Sequence, residues 1–208
     1  MKDIKFDPNN IWLTSDLHLN HKNVIEYNNR PFSSVDEMNE KLIRNWNETV
    51  PEDGIVFDLG DLCFGGSSVW NELIPQLHGK HYLILGNHDF KNYRDGYSKY
   101  FELVTQQMYI QVDGISVYLN HFPFLCFGGA YREQHNVYAI HGHTHFRKNI
   151  NILEYNKDIK RIIDFAFPSQ YDVGVDFNNY KPISWCELKS KIDFQINKNV
   201  NMSVWINT

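Results

Sequence analysis

An α/β fold in which two sheets share one core is predicted by three observations. In the first half, short apolar runs end in polar clusters and are separated by helix-period segments. The second half changes to strand and hairpin patterning, and no repeat, linker or low-complexity tract divides the chain. At 208 residues, 42% hydrophobic and 15% aromatic, the sequence can bury one sizeable core, so a single domain over residues 1–208 is expected.

The elements follow in order. Ile11 to Thr14 is an apolar run that delivers Ser15 and Asp16, the pattern of a buried strand with polar groups at its carboxyl end. Val35, Met38, Leu42 and Trp46 recur at three- and four-residue spacing behind a Ser34/Glu37 capping box, and Pro51 ends this helix. Gly54 to Leu59 and His81 to Leu85 read as further buried strands, with a helix from Ser67 to Leu77 interrupted by Pro75 between them. Met108 to Val112, Asp113-Gly114 and Ile115 to Leu119 form the strongest hairpin signal. Val137 to Ile140, Ile162 to Phe167 and Val173 to Val175 are expected as short strands. Alternating Ile192, Phe194, Ile196 and Val200, Met202, Val204, Ile206 suggest a terminal hairpin at about 190–208, an edge that a second copy of the chain could use.

Composition excludes several classes of function. Twenty basic against twenty-five acidic residues give −5 with no basic stretch, so a grip on extended nucleic acid or anionic membrane is not expected. Three scattered cysteines make neither a disulfide framework nor a zinc finger, which fits a reducing cytoplasm. No run of apolar residues reaches membrane-spanning length, and the first ten residues lack the apolar stretch of a signal peptide.

Five clusters of acid, amide and imidazole side chains each follow an apolar run. They are Asp16 and His18; Gly60-Asp61; Gly86-Asn87-His88-Asp89; Asn120-His121; and Gly142-His143-Thr144-His145. Any one alone reads as an ordinary turn, but five turns enriched together in His, Asp and Asn point to one site. His143 and His145, two apart, can serve different ions from one loop, as can Asp16 and His18. Imidazole, carboxylate and amide donors without thiolate suit borderline divalent ions such as Mn, Fe, Zn, Co or Ni. Two such ions bring more positive charge than Asp16 and Asp61 return, so the site would attract an anion, and phosphoester hydrolysis is the expected reaction.

In this order, D-x-H, GD, GNHD, H and GHxH resemble the calcineurin-like metallophosphoesterase superfamily over residues 16 to 145. The resemblance implies a four-layer α-β-β-α sandwich of two mixed sheets flanked by helices, with two divalent ions at the strand ends, manganese first among the choices. It places Asp16, His18, Asp61 and His145 on one ion and Asp61, Asn87, His121 and His143 on the other, with Asp61 bridging. His88 would be the general acid and Asp89 its orienting partner. The chain departs from the protein serine/threonine phosphatases, which carry D-R-G and GNHE, and from purple acid phosphatases, whose tyrosine ligand is replaced by Phe64.

TSDLHLNHKNVIEYNNRPFSSVDEMN and VGVDFNNYKPIS resemble a compact bacterial and phage subgroup over nearly the whole chain. His21 and Arg30 are candidates to contact a substrate phosphate; the plainer roles are helix capping for His21 and a surface salt bridge for Arg30. His141 is expected to be structural, and His78, His81 and His135 join no cluster. The function expected is a cytoplasmic phosphodiesterase acting on a small or nucleotide-like phosphoester. A phosphomonoesterase, a nuclease for short or single-stranded ends and a non-catalytic scaffold are the alternatives.

Overall fold

The computed structural model describes residues 6–131, 136–147 and 157–206. Two mixed sheets stack face to face with helices flanking them, the α/β architecture expected. The first sheet has the order β4-β3-β2-β1-β9, from β1 (Ile11–Thr14), β2 (Ile55–Asp58), β3 (Lys80–Ile84), β4 (Leu103–Thr105) and β9 (Ile183–Ser184). Its strands are parallel except β9, which pairs antiparallel to β1. The second sheet has the order β5-β6-β7-β8, from β5 (Gln107–Val112), β6 (Ile115–Asn120), β7 (Val137–His141) and β8 (Gln170–Asp172). The β5–β6 turn is Asp113-Gly114 with φ of 52° and 74°, the double left-handed geometry that favours this dipeptide.

Both faces of the first sheet are covered, which is why its strands read as continuous apolar runs. Leu13, Phe57 and Ile84 face Ile110, Val117, Leu119 and Ile140 of the second sheet. Val56 and Leu83 point the other way, onto Met38, Leu42 and Trp46 of α2 (Val35–Thr49) and Trp70 and Leu73 of α3 (Ser67–Leu73). At Pro75 α3 tightens into a 3₁₀ turn, Ile74–Gln76. Among the described residues no helix is long and apolar enough to cross a membrane.

Register brings the carboxyl ends of the parallel strands together. Thr14 pairs with Asp58 and Asp58 with Leu83, so the segments carrying Asp16, Asp61 and Asn87 leave one edge. In the second sheet Leu119 pairs with Ile140, and the Gly142 amide donates to the His121 carbonyl at 3.0 Å. A bridge between Ser15 and Gly174 ties the sheets at this end.

Three expectations are corrected. The terminal hairpin is absent: residues 185–198 form a helix, α6 (Trp185–Lys198), followed by a 3₁₀ turn at Met202–Trp205. The apparent two-residue alternation hides a stronger pattern, since Trp185, Leu188, Ile192 and Gln195 are buried at helical spacing. Ser184 caps the Glu187 amide, and Asn199 ends the helix in the left-handed conformation. Ile162 to Phe167 is likewise not a strand, because α5 (Lys157–Phe165) runs through it with a Lys160–Asp164 pair one turn apart. The strand expected at Val173–Val175 is displaced to β8, with residues 173–175 continuing only as backbone bonds to His141 and Ser15.

Candidate metal centre

The site is built from backbone that side chains normally avoid. Asp16, His18, Asp61, His143 and His145 all have left-handed φ, between 47° and 69°. Each such residue costs on the order of 1 kcal/mol or more, so the clustering marks a functional geometry held by its surroundings. The holding bonds are visible: Asp16 donates to the Gly60 carbonyl at 2.9 Å, His18 to the Asp61 carbonyl at 2.9 Å, and the His143 amide to Asp16 Oδ2 at 2.8 Å. Gly86 and Gly142 permit the close packing. A Cβ at Gly86 would collide with Asp61 and His121, and one at Gly142 with Ser15 and Asp16.

Asp61 stands at the middle. Its Oδ2 lies 3.6 Å from His18 Nε2 on one side and 3.6 Å from His121 Nε2 on the other. Toward His18, Asp16 Oδ1 is 3.9 Å from His18 Nε2 and 3.7 Å from His145 Nε2. Toward His121, Asn87 Oδ1 is 3.0 Å from His121 Nε2, and the His143 ring lies 5.0 Å from that of His121 between centroids. The two histidines of GHTH therefore face different halves of the site, as their spacing suggested.

The electrostatics suit cations. Asp16 Oδ1 and His18 Nε2 are buried without a hydrogen-bond partner among the described residues. Burial, with help from His145 and Arg30, holds His18 well below the ordinary histidine range, and burial together with His121 puts His143 at about 4. Both are thus neutral, the form that ligates metal. Burial pushes Asp61 up to about 7 despite the pull of His121, with Asp16 and Asp89 adding to the rise. A cation beside these carboxylates would relieve that desolvation.

A second layer of contacts fixes the donors, and here several expected roles change. Arg30 is neither a surface salt bridge nor aimed at substrate: its guanidinium grips Asp176 bidentately at 2.8 and 2.9 Å and donates to the carbonyls of Leu17 and Asp16 at 2.8 and 2.7 Å. Asp176 in turn meets His145 Nδ1 at 2.8 Å, leaving Nε2 for the site. Burial would lower His145, yet Asp16 and Asp176 raise it to about 9. Sequence reasoning passed over Asp176, although it is an acid following the apolar run VGV, the same signal as at the other clusters.

His21 heads α1 (Lys22–Tyr27) but makes no capping bond with its side chain. Its Nδ1 meets His18 Nδ1 at 3.1 Å while its ring stacks on Phe64 at 3.9 Å. His121 Nδ1 is set by the Leu59 carbonyl at 2.7 Å. Thr144, another residue the sequence did not flag, is bonded through its hydroxyl to Asp172, which also accepts the Gly174 amide at 2.7 Å.

Asp89 does not orient His88. Its carboxylate accepts the amides of Asp61, Leu62 and Gly86 at 2.7, 3.2 and 2.8 Å, joining the loops that carry Asp61 and Asn87. His88 is tied to the centre by its own amide, which donates to Asp61 Oδ1 at 2.8 Å, and its Nε2 lies 4.0 Å from Asp61 Oδ2. With its side chain 42% exposed, it is more open than His18, His121 and His145. Burial, then His145 and His121, lowers its pKa. His141 is buried with Nδ1 3.1 Å from the Gly142 carbonyl, His81 stacks on Trp46, and His78 reaches the Val50 carbonyl; His135 lies outside the described residues.

Comparison with known proteins bears on this geometry. The family model of the calcineurin-like phosphoesterases matches residues 10–196. The chain is 35% identical to the uncharacterized protein MJ1445 of Methanocaldococcus jannaschii over 84% of this chain and 86% of that protein. It is 32% identical to the gene 66 protein of Mycobacterium phage D29, over 66% of this chain and 79% of that one. The crystal structure of AQ665 from Aquifex aeolicus, a protein of unknown function, has a similar fold at a TM-score of 0.62 and 23% identity, covering 86% of this chain and 97% of that one.

Proposed function

The chain belongs to the calcineurin-like phosphoesterase family and is a metal-dependent phosphoester hydrolase, and from that premise we propose that it is a phosphodiesterase using two divalent ions, manganese first among them. The observation that carries the metal assignment is the pair of buried, unpartnered atoms, Asp16 Oδ1 and His18 Nε2, converging with His145 Nε2 beside the central Asp61. Asp16, His18, Asp61 and His145 would hold one ion, and Asp61, Asn87, His121 and His143 the other. Bound there, the ions supply Lewis acidity toward phosphoryl oxygens and make water a nucleophile near neutral pH.

The chain's own side chains do the rest. His88 Nε2, anchored near Asp61 and open to solvent, protonates the leaving oxygen. Phe122, an exposed ring that meets the His143 ring edge to face at 4.8 Å between centroids, borders the site. The preference for a diester rests on Arg30. A monoester dianion is normally held by several cationic donors, and the guanidinium nearest the site is already committed to Asp176 and two carbonyls. A diester monoanion requires fewer such donors.

The test is kcat/KM for bis-nitrophenyl phosphate and nitrophenyl phosphate with Mn, Ni, Zn and Mg. A diester preference dependent on added metal is expected. A monoester advantage of about tenfold or more would overturn the preference.

A further inference from the structure

The spacing of His18 and His21 is that of a turn. The His21 amide donates to the His18 carbonyl at 3.0 Å, and this closure brings the two imidazoles to 5.2 Å between centroids. Left-handed φ at His18 (52°) and Asn20 (61°) shapes the turn, and its neighbours clamp it. The Leu19 amide donates to the Leu62 carbonyl at 2.9 Å, the Asn20 amide to Asn39 Oδ1 at 2.8 Å, and the Phe64 amide to the Leu19 carbonyl at 2.8 Å. Phe64 then lies flat against His21, 3.9 Å between centroids and 7° from parallel. Backbone and ring face together hold His21 Nδ1 at 3.1 Å from His18 Nδ1.

The other imidazoles of the centre show what that contact does. His145 turns Nε2 toward Asp16 while its Nδ1 meets Asp176 at 2.8 Å. His121 turns Nε2 toward Asp61 while its Nδ1 meets the Leu59 carbonyl at 2.7 Å. His18 follows the same plan, with Nε2 toward Asp16 and Asp61, but the partner at its Nδ1 is an imidazole. Its side chain is only 2% exposed, so that nitrogen depends on the protein for a partner.

Proton counting fixes the roles of the pair. A neutral imidazole carries one ring proton, and a histidine that gives its Nε2 lone pair to a metal keeps that proton on Nδ1. His18 Nδ1 is then a donor, so His21 Nδ1 accepts, and the proton of His21 sits on Nε2. Among the described residues His21 Nε2 has no hydrogen-bond partner, so no contact opposes this arrangement. In the reverse arrangement the His18 proton would lie on Nε2, the buried atom that faces the carboxylates, and the lone pair would be lost to an ion. Unlike Asp176, His21 accepts without bringing a negative charge.

We propose that His21 is a positioning residue of the metal centre, which accepts the Nδ1 proton of His18 and so holds His18 Nε2 ready for a divalent ion. This rests on the assignment of His18 to an ion and deepens it. It replaces the contact with substrate phosphate expected from the sequence, and gives the D-x-H-x-x-H spacing a reason.

Two variants separate the proton acceptor from the stacked ring. His21→Phe keeps a ring against Phe64 and removes the acceptor; His21→Asn keeps a side-chain oxygen that can accept and removes the ring. Zinc is the probe, because it is diamagnetic and suits imidazole. In zinc-loaded wild type, long-range ¹H–¹⁵N spectra should show the proton of His18 on Nδ1 and that of His21 on Nε2. By chelator competition His21→Phe should bind one of the two ions about 10–100-fold more weakly, and His21→Asn should stay within about threefold of wild type. Unchanged zinc affinity in His21→Phe, an equal loss in both variants, or a proton on His21 Nδ1 in the loaded protein would overturn the proposal. Absence of zinc binding by the wild type is a separate result, which would remove the metal assignment and the positioning role with it.

Discussion

At the scale of single residues, what the sequence reveals is chemistry, and what it conceals is who holds whom. Asp16, His18, Asp61, Asn87, His121, His143 and His145 were identifiable as candidate metal ligands because each follows an apolar run, in an order that the resemblance shares. Asp176 and Thr144 were not, because supporting contacts depend on distant partners: Asp172 stands 28 positions from Thr144, and His145 and Arg30 stand 31 and 146 from Asp176. Arg30 shows the difference: a guanidinium after a helix looks available in the sequence, but in the fold its donors are consumed. Replacing it by Met leaves the buried Asp176 without its guanidinium and with only His145 and Asn28 beside it, so stability should fall by about 3–5 kcal/mol in urea unfolding. A loss below about 1 kcal/mol would show that the pair is not structural. His88→Ala should leave the bound metal in place and slow hydrolysis of alkyl diesters by about 10²–10⁴. The loss should be smaller for nitrophenyl esters, whose leaving group needs no proton, and equal losses on both would make His88 a positioning residue.

Among the elements, strands with both faces buried and the Asp113-Gly114 hairpin were legible because their patterns have no rival. Short and amphipathic helices were harder. In α6 the same residues fit a two-residue alternation and a helical stripe, and the decision came from tertiary burial of Trp185, Leu188 and Ile192 together with the Ser184 cap. That capping box was present in the sequence and outweighs the alternation once noticed. Ser184→Ala should cost about 1 kcal/mol of stability by urea unfolding, whereas Ser190→Ala, inside the helix, should cost little. Equal effects would mean that the cap does not set where α6 begins.

For the molecule as a whole, the two-sheet core could be inferred from patterning, and the resemblance supplied the layering that periodicity alone could not. The fold matters because parallel register sends the five loops that carry the candidate ligands out of the same end, where a Ser15–Gly174 bridge locks the sheets together. The burial that makes this core also sets a pH dependence. Burial lowers His81, stacked on Trp46, below its ordinary value, with the Leu77 and His78 carbonyls opposing only in part. The unfolded chain therefore takes up a proton near pH 6.5 that the folded chain refuses, so this stability is full above about pH 6.5 and declines as pH falls toward the folded value. His81→Phe should show a smaller drop in Tm between pH 7.5 and 5.5 than the wild type; an equal drop would clear His81 of that role. The central claim, that Asp61 joins two ions in one centre, is tested most directly by counting metal. Purified protein loaded with manganese and analysed by elemental emission should carry two ions per chain, His145→Ala should lose mainly one, and Asp61→Asn should weaken both. Two tightly held ions and full activity in Asp61→Asn would contradict the account.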